Sequence, residues 1–331
     1  MGKVGTLQVP KLGYGLMGIS TAYKGIMKDE DALELLTKAA DAGITFWDTS
    51  DVYGPHTNEQ LLGQWFTKTG RRKEITLATK FGMSISEKGI GIDGSAAYVK
   101  KACNDSLKRL QTDYIDLYYQ HRVDQNTPIE VTVGAMAELV KEGKVRNLGL
   151  SEASAKTLAR AQKVHPIAAT QVEYSPFALE IEHNDVLRVA RQQGTAIICY
   201  SPLGRGMLSG KFTSPDDFPE GDFRKTSPRF QGENFKQNMK LVDAIDAIAK
   251  KKSCTPGQLT LAWLCAQGPD VIPIPGTTKW ENLMENWDSR NVTLSPGEIA
   301  EIRKIVDAAD VVGDRYGEGW KSLEYLDTPE K

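Results

Sequence analysis

The sequence predicts an α/β protein that forms a (β/α)8 TIM barrel, and two observations support this prediction. Short apolar segments typical of buried strands alternate with longer segments in which apolar residues recur at helical spacing. Because each predicted strand is followed by a crossover segment, neighbouring strands must pair in parallel. Eight such units fit a chain of 331 residues, and no change of composition divides it, so we expect one domain over residues 1–331.

The predicted strands are short and apolar, and a short hairpin is expected before the first of them. They are Leu12–Met17, Ile44–Asp48, Ile75–Lys80, Ile115–Gln120, Val145–Leu150, Ala169–Glu173, Ala196–Ser201 and Val271–Pro275. Helix signals lie between them, including three acidic residues from Asp29, a glycine at Gly43, and entry signals at Ser95 and Thr127-Pro128. The predicted helices are Glu30–Asp41, Asn58–Thr67, Ala96–Leu110, Pro128–Lys141, Ser154–Lys163, Asp185–Gln193 and a longer region, Asn238–Ala266.

In two segments the apolar residues follow neither the strand spacing nor the helix spacing. Phe212–Phe235, after the seventh strand, is long and rich in proline, glycine and charge, and loops of this length in compact domains are usually lids or binding loops. The tail after Ala309 carries Tyr316, Trp320 and Tyr325. We expect both segments to lie over the mouth of the barrel, with plain surface packing as the alternative.

Composition excludes several classes of function. A net charge of −2 and a pI near 6.2 give no indication of binding to nucleic acid or a membrane surface. The N-terminus lacks the apolar core of a signal peptide, which predicts a cytoplasmic protein. The four cysteines are far apart and form no Cys-x-x-Cys pair, so neither a metal site nor a disulfide framework is predicted.

The ends of the predicted strands carry groups suited to catalysis. Asp48 ends the second strand and Tyr53 follows it, Lys80 ends the third, and His121 and Arg122 follow the fourth. In this fold, active sites lie at the C-terminal ends of the strands. Taken singly, each group has an ordinary interpretation as a capping or solvated residue, but their shared position on one rim favours an active site.

These residue types suit the addition of hydride to a carbonyl carbon. Negative charge then develops on the oxygen, which needs a proton donor and fixed hydrogen-bonding groups. Tyr53 is the predicted donor, and an ammonium such as that of Lys80 lowers a phenol pKa by favouring the phenolate. Asp48 would hold Lys80 charged and in place, and His121 would orient the substrate oxygen.

Several motifs give the chain a family resemblance. They are Gly43-Ile44, Phe46, Asp48-Thr49-Ser50, Tyr53-Gly54, Glu59, Leu62-Gly63, Ala78-Thr79-Lys80 and Tyr119-Gln120-His121. With these motifs the chain resembles the aldo-keto reductase family over nearly its whole length. The resemblance implies a monomeric NADPH-dependent reductase of small-molecule aldehydes or ketones, an alcohol dehydrogenase (NADP+) type of activity, with the catalytic tetrad Asp48, Tyr53, Lys80 and His121.

The resemblance also implies the residues that hold NADPH or NADP+. Ser151 and Gln171 would bind the carboxamide, and Tyr200 would stack on the nicotinamide. The other implied contacts are Gly18, Ile19, Ser201, Pro202, Leu203, Gly204, Arg205, Gly206, Gly276, Thr277, Thr278, Lys279, Asn282, Glu285 and Asn286. Independently, barrels commonly bind phosphate at the loops after strands seven and eight, where Arg205 and Lys279 supply positive charge, with plain exposure as the alternative for each.

The chain departs from the family pattern at two positions. Many members have Asn where Glu152 stands, and several have Lys where Gly276 stands. Of two other interpretations, a dinucleotide-binding fold is disfavoured and a regulatory role remains open. Gly13–Gly18 matches a dinucleotide-binding fingerprint, although no helical pattern follows it directly. Some relatives of the family act as cofactor-binding regulatory subunits with little turnover, which an intact tetrad does not exclude.

Overall fold

The structure, a computed structural model, describes residues 1–20, 27–86, 89–317 and 323–331. Within these residues the strands are β1 (Gly2–Val4), β2 (Leu7–Val9), β3 (Tyr14–Gly15), β4 (Phe46–Asp48), β5 (Thr76–Phe81), β6 (Met83–Ser86), β7 (Gly89–Ile92), β8 (Ile115–Gln120), β9 (Val145–Ser151), β10 (Ile167–Glu173), β11 (Ala196–Tyr200) and β12 (Val271–Pro273). The helices are α1 (Met17–Ser20), α2 (Asp29–Asp41), α3 (Thr57–Thr69), α4 (Ala96–Leu110), α5 (Ile129–Lys141), α6 (Ala155–Val164), α7 (Glu180–His183), α8 (Val186–Gln193), α9 (Gly232–Lys251), α10 (Pro256–Ala266), α11 (Trp280–Asp288) and α12 (Pro296–Asp307).

Eight of the strands pair in parallel in the order β3, β4, β5, β8, β9, β10, β11, β12. The first and last strands then meet and close the sheet. The Gly13 N–H donates to the Pro273 carbonyl at 2.9 Å, the Gly15 N–H donates to the Pro275 carbonyl at 3.2 Å, and Gly15 and Gly276 form a parallel bridge. The predicted (β/α)8 barrel is confirmed, and the dinucleotide-binding interpretation of Gly13–Gly18 was wrong.

The core has two layers because side chains alternate along each strand. Inward positions such as Phe46, Leu117 and Ile198 form the barrel interior, while the outward positions pack against the surrounding helices. The predicted N-terminal hairpin is present as β1 and β2, and its Val4 and Val9 join the interior cluster. The hairpin therefore fills the end of the barrel opposite the C-terminal ends of the strands.

Helix starts largely follow the local signals. The Ser95 hydroxyl accepts from the Tyr98 N–H and caps α4, as expected. The predicted helical region Asn238–Ala266 contains two helices, α9 and α10. Thr255 and Gln258 form a capping box, and Pro256 occupies the first turn, so a new helix begins there.

Several elements carry no prediction from the sequence. They are the hairpin of β6 and β7 after the third barrel strand and the helices α1, α7, α11 and α12. The long segment after β11 contains three short 3-10 turns before α9 begins at Gly232. Its rings of Phe212, Phe218 and Phe230 pack together, with centroids 4.9 and 5.9 Å apart, so the segment has a small core of its own.

The tail returns to the C-terminal ends of the strands, as predicted. Leu326 bridges to Ala153, just beyond β9, and Tyr316 lies beside Tyr200 at the end of β11. Trp320, the third aromatic residue of the tail, lies outside the described residues. In the described part of the chain, every helix is too short or too polar to cross a membrane.

Candidate active site

The predicted site residues occupy the inward positions of the barrel strands. Each stands two residues beyond a side chain or glycine that faces the interior: Asp48 follows Phe46, Lys80 follows Ala78, His121 follows Tyr119, Ser151 follows Gly149, Gln171 follows Ala169, and Tyr200 follows Ile198. Because the period of a strand is two, these six side chains turn towards one another at the barrel mouth. The sequence pattern thus brings residues from six strands together.

Lys80 is the centre of the most tightly bonded part of the site. Its fully buried ammonium group donates to Asp48 Oδ1 at 2.5 Å and to the Thr49 carbonyl at 2.8 Å. It also donates to the Tyr53 hydroxyl at 3.3 Å. Burial lowers the pKa of Lys80, but Asp48 and Tyr53 outweigh it and raise the pKa above its ordinary value. Lys80 is therefore charged at neutral pH.

Gln171, a predicted cofactor-binding residue, is hydrogen-bonded to this group. Its side-chain amide donates to Asp48 Oδ2 at 2.7 Å, while Lys80 occupies the other carboxylate oxygen. Both oxygens of Asp48 are thereby engaged. A buried carboxylate needs this degree of satisfaction, so the three side chains fix one another in position.

The pKa of Tyr53 moves in the opposite direction to the expected one. Burial raises the pKa of the phenol, and the ammonium of Lys80 lowers it by less. The residue pattern shows the charge of Lys80 but not the desolvation of Tyr53, because the depth of a strand-end loop is not visible in it. Tyr53 is therefore protonated at neutral pH, and its oxygen accepts from the Lys80 ammonium, which leaves the phenol proton free to bond elsewhere.

His121 is neutral, and the Ser50 hydroxyl contacts one of its ring nitrogens. Burial, with the charges of Lys80 and Arg122, lowers the pKa of His121 well below its ordinary value. Its Nδ1 lies 3.0 Å from the Ser50 hydroxyl, and its ring stands edge-on to Tyr53 with centroids 5.9 Å apart. Sequence reasoning gave Ser50 no role at the site, although its place between two strand-end polar residues was the available sign.

Arg122 reaches across the mouth to the next strand. One terminal nitrogen donates to the His121 carbonyl at 2.8 Å and to the Ser151 hydroxyl at 3.2 Å. Ser151 is thus oriented by a cation on the neighbouring strand end. The hydroxyl can still donate its own proton into the mouth.

Glu152 occupies the position where many family members have Asn. Its backbone has φ of 53°, in the left-handed region that Asn tolerates better than Glu. One carboxylate oxygen accepts from the Tyr200 hydroxyl at 2.9 Å and from the Glu173 N–H at 3.1 Å. The Tyr200 hydroxyl also lies 3.1 Å from that of Tyr316. In this chain Glu152 therefore holds Tyr200 in place.

A buried ionic network lies under the tail. Glu173, at the end of β10, has Arg205 and Arg229 each at 3.6 Å. Arg315 lies 3.6 Å from Glu152 and 3.1 Å from Glu180. Sequence reasoning missed Glu173, Arg229 and Arg315 as site residues. The carboxylates of Glu152 and Glu173, at adjacent strand ends, indicate that cations from other segments pair with them. They do not indicate which segments supply those cations.

The loop after β11 has an unusual backbone. Ser201, Gly204, Arg205 and Gly206 all have positive φ, of 48°, 54°, 56° and 98°, and Pro202 and Leu203 complete the turn. The Arg205 guanidinium is buried against Glu173 and stacks on Tyr316 at 4.3 Å. Its positive charge is thus already engaged by a carboxylate.

The loop after β12 lies against the first barrel strand. A Cβ at Gly276 would stand 2.8 Å from the Gly15 carbonyl oxygen, so the lysine of other members does not fit this backbone. The Thr277 carbonyl accepts from Tyr14 at 2.6 Å, and Thr278 is half-buried. Lys279 is exposed at the start of α11.

The remaining predicted contacts flank these loops. On α11, Asn282 and Glu285 both accept from the ammonium of Lys211, at 2.7 and 2.8 Å, while Asn286 is buried. Gly18 and Ile19 lie on the short helix α1, directly after the first barrel strand, and Ile19 is buried. Lys211 directly precedes the long loop Phe212–Phe235, so it connects the start of that loop to α11.

Comparisons with known proteins agree on one family. The profile of the Aldo/keto reductase family matches residues 11–307. Aldo-keto reductase yakc [NADP(+)] of Schizosaccharomyces pombe is 50% identical over 99% of this chain and 97% of its own length. Aldo-keto reductase str7 of Strobilurus tenacellus is 48% identical over 99% of this chain and 97% of its own length.

Solved structures give the same result. The glycerol dehydrogenase AKR11B4 of Gluconobacter oxydans superposes with a TM-score of 0.85 at 26% identity, over 95% of this chain and 96% of its own. The thermostable aldo-keto reductase Tm1743, solved with the inhibitor epalrestat, superposes with a TM-score of 0.75 at 28% identity, over 92% of this chain and 98% of its own.

Proposed function

The chain belongs to the aldo/keto reductase family, and on that basis we propose that it reduces the carbonyl group of a small aldehyde or ketone to the alcohol. It is an oxidoreductase that uses NADPH and NADP+, the cofactor that the name of the fission yeast relative records for that protein. The observation that carries the proposal is the contact between the Lys80 ammonium and the Tyr53 hydroxyl, with Asp48 behind it.

The residues at the mouth fit this cofactor. The Ser151 hydroxyl and the Gln171 amide suit a carboxamide, and the Tyr200 ring offers a face for stacking. Beside them, four residues of the loop after β11 have positive φ, the left-handed backbone that favours glycine and that occurs in anion-binding loops. When bound there, NADPH supplies the hydride that adds to the carbonyl carbon.

Tyr53 is the proposed general acid. Its raised pKa keeps the proton on the phenol until negative charge develops on the substrate oxygen. Lys80 then stabilises the phenolate that proton transfer leaves behind, because its ammonium already lies 3.3 Å away. Asp48 positions Lys80 and keeps it charged. These three residues therefore act as one unit.

His121 is the proposed orienting group. A neutral imidazole can donate one hydrogen bond to a carbonyl oxygen without competing for its proton. The Ser50 hydroxyl at Nδ1 can donate to that nitrogen, which leaves the ring proton on Nε2 for the bond to the substrate. We propose that Tyr53 and His121 together bind the substrate oxygen.

The test is turnover. The oxidation of NADPH should be followed with a panel of aliphatic aldehydes, aromatic aldehydes, pyridoxal and ketones, and the alcohol product should be identified. We expect reduction of at least one aldehyde class. A protein that binds NADPH tightly but turns over no carbonyl in the panel would contradict the proposal and favour a regulatory subunit.

The organisation of the protein remains a sequence prediction. We propose a single-domain monomer over residues 1–331, located in the cytoplasm, with a small carbonyl compound as its partner. Sedimentation of the purified protein over a range of concentrations tests the monomer. A mass that corresponds to two chains would contradict it.

A further inference from the structure

Arg122 differs from the other buried arginines of the described residues. Six arginines are buried there, and five have carboxylates at distances of 2.6–3.6 Å. These pairs are Arg72 with Asp116, Arg205 and Arg229 with Glu173, Arg224 with Asp222, and Arg315 with Glu152 and Glu180. Arg122, which is 6% exposed, forms no ion pair with any described residue.

The contacts of Arg122 use only some of the N–H donors of its guanidinium group. One terminal nitrogen donates to the His121 carbonyl and the Ser151 hydroxyl, both uncharged acceptors. The inner nitrogen, Nε, is buried and has no acceptor among the described residues. A guanidinium cannot lose its charge in a protein, so the deficit cannot be relieved by deprotonation.

No described neighbour forms an ion pair with Arg122, although together the neighbours outweigh burial and raise its pKa above the ordinary value. The groups close enough to interact electrostatically are Tyr200, Tyr316, Glu152 and Tyr53. Glu152 is the acid among them, and its Oε1 accepts from the Tyr200 hydroxyl and a backbone N–H and lies 3.6 Å from Arg315. Because a buried charge without a counter-ion is costly, the arrangement is incomplete without an anion.

The position of Arg122 indicates where that anion comes from. Arg122 follows His121 directly, and the His121 ring is 5.9 Å from that of Tyr53, between which we have proposed that the substrate oxygen binds. A substrate held there places its substituents next to Arg122. The cofactor part expected beside Ser151, a carboxamide, is neutral and cannot supply the missing charge.

We propose that Arg122 binds a carboxylate carried by the carbonyl substrate, so that oxo acids and aldehydes bearing a carboxyl group are the preferred substrate class. This inference rests on the proposed reductase function and deepens it. A guanidinium suits the task because its planar fork can donate two parallel hydrogen bonds to one carboxylate. Ser151 holds the guanidinium in place for this contact.

The test compares 4-carboxybenzaldehyde with its methyl ester, which has the same aldehyde but no charge. We expect the parental enzyme to have a kcat/KM at least about tenfold higher for the acid, the effect of one charge-assisted hydrogen bond. In Arg122→Met the ratio of acid to ester should fall to about one, and Arg122→Lys should restore part of it. Arg188→Met, at an exposed position on α8, is the matched control and should keep the parental ratio.

The outcomes separate this inference from the reductase function. An enzyme that reduces the ester but shows no preference for the acid would overturn the role of Arg122 and leave the reductase function intact. An equal loss for acid and ester in Arg122→Met, with the ratio unchanged, would also overturn it. Thermal unfolding and NADPH binding of each variant show whether the fold and the cofactor site are preserved.

Discussion

Asp51 is a buried carboxyl group with a raised pKa beside the proposed catalytic residues. The side chain is 3% exposed, and burial, followed by repulsion from Glu59, raises its pKa to about 7. Arg109 and the hydroxyl of Ser50 oppose this rise. The groups that interact with it from neighbouring helices and strands also include Tyr98 and Tyr118. Asp51 is therefore protonated in mildly acidic solution and must ionise while buried as the pH rises.

This titration predicts a pH-dependent stability. Because the folded-state pKa is raised, the folded protein binds more protons than the unfolded chain, so stability falls as pH rises from about 4 to about 7. Asp51→Asn removes the titration. Between about pH 5 and about pH 8 the parental protein should lose roughly 2–3 kcal/mol relative to Asp51→Asn. Denaturant unfolding of both proteins at the two pH values tests this, and parallel pH profiles would contradict it.

Lys279 is the exposed cation next to the proposed phosphate loop, whereas the charge of Arg205 is paired with Glu173. We predict that Lys279→Met weakens NADPH binding by about tenfold, because a charge-assisted bond to the 2′-phosphate is lost, and leaves NADH binding unchanged. Titration of each variant with the two cofactors measures this. Lys304→Met, on the outer helix α12, is the control. Equal losses for both cofactors would contradict the assignment.

Residue positions in the site could be predicted better than residue states. Asp48, Lys80 and His121 stand at strand ends, and their shared inward direction follows from the period of two. The bond between Ser50 and His121 depends on loop geometry that no pattern encodes. The direction of the Tyr53 pKa shift could not be predicted either. It depends on how deeply the loop after β4 is buried, and this burial is set by the packing around the loop.

Closure of the barrel leaves little room for a side chain. Gly15 and Gly276 form the bridge between the first and last strands, and a Cβ at Gly276 would stand 2.8 Å from backbone oxygen. Backbone cannot move aside as a flexible side chain can. We therefore expect Gly276→Ala to lower the free energy of unfolding by about 1–3 kcal/mol, as overpacking does.

Gly134 is the matched control for this substitution. It lies in α5, and a Cβ there would have open space around it. Gly134→Ala should raise the free energy of unfolding by up to about 1 kcal/mol, because alanine favours helix. Denaturant unfolding of both variants gives the comparison. If Gly276→Ala were as stable as the parental protein, the bridge would not constrain closure as the structure indicates.

Elements with strong periodicity were predictable, and inserted ones were not. The helices from α2 to α6 lie within a few residues of their predicted bounds, because amphipathic spacing and capping residues agree. Thr255-Pro256 is a helix-start signal that marks the break between α9 and α10. The hairpin of β6 and β7 is too short and glycine-rich for a clear strand pattern.

At the scale of the whole molecule, the sequence predicted the barrel and the tail at its mouth, but not the contacts that hold the tail and the long loop there. Strand order follows from repeated crossovers, which leave one parallel arrangement. The covering depends on long-range ion pairs, such as Arg315 with Glu152 and Arg229 with Glu173, that join segments far apart in the chain. Pairings of this kind have no local sequence pattern. They connect the tail and the long loop to the ends of the strands where the proposed chemistry occurs.

The central claim is that Tyr53 donates the proton, and Tyr53→Phe tests it most directly. The substitution removes one hydroxyl and keeps the ring, so folding and NADPH binding should stay close to the parental values. Carbonyl reduction should fall by about 10²–10⁴-fold, the usual contribution of a general acid. Tyr114→Phe, at a ring between Arg72 and Arg146 and away from the mouth, is the control and should retain activity. A Tyr53→Phe protein that binds NADPH and reduces aldehydes at the parental rate would contradict the account.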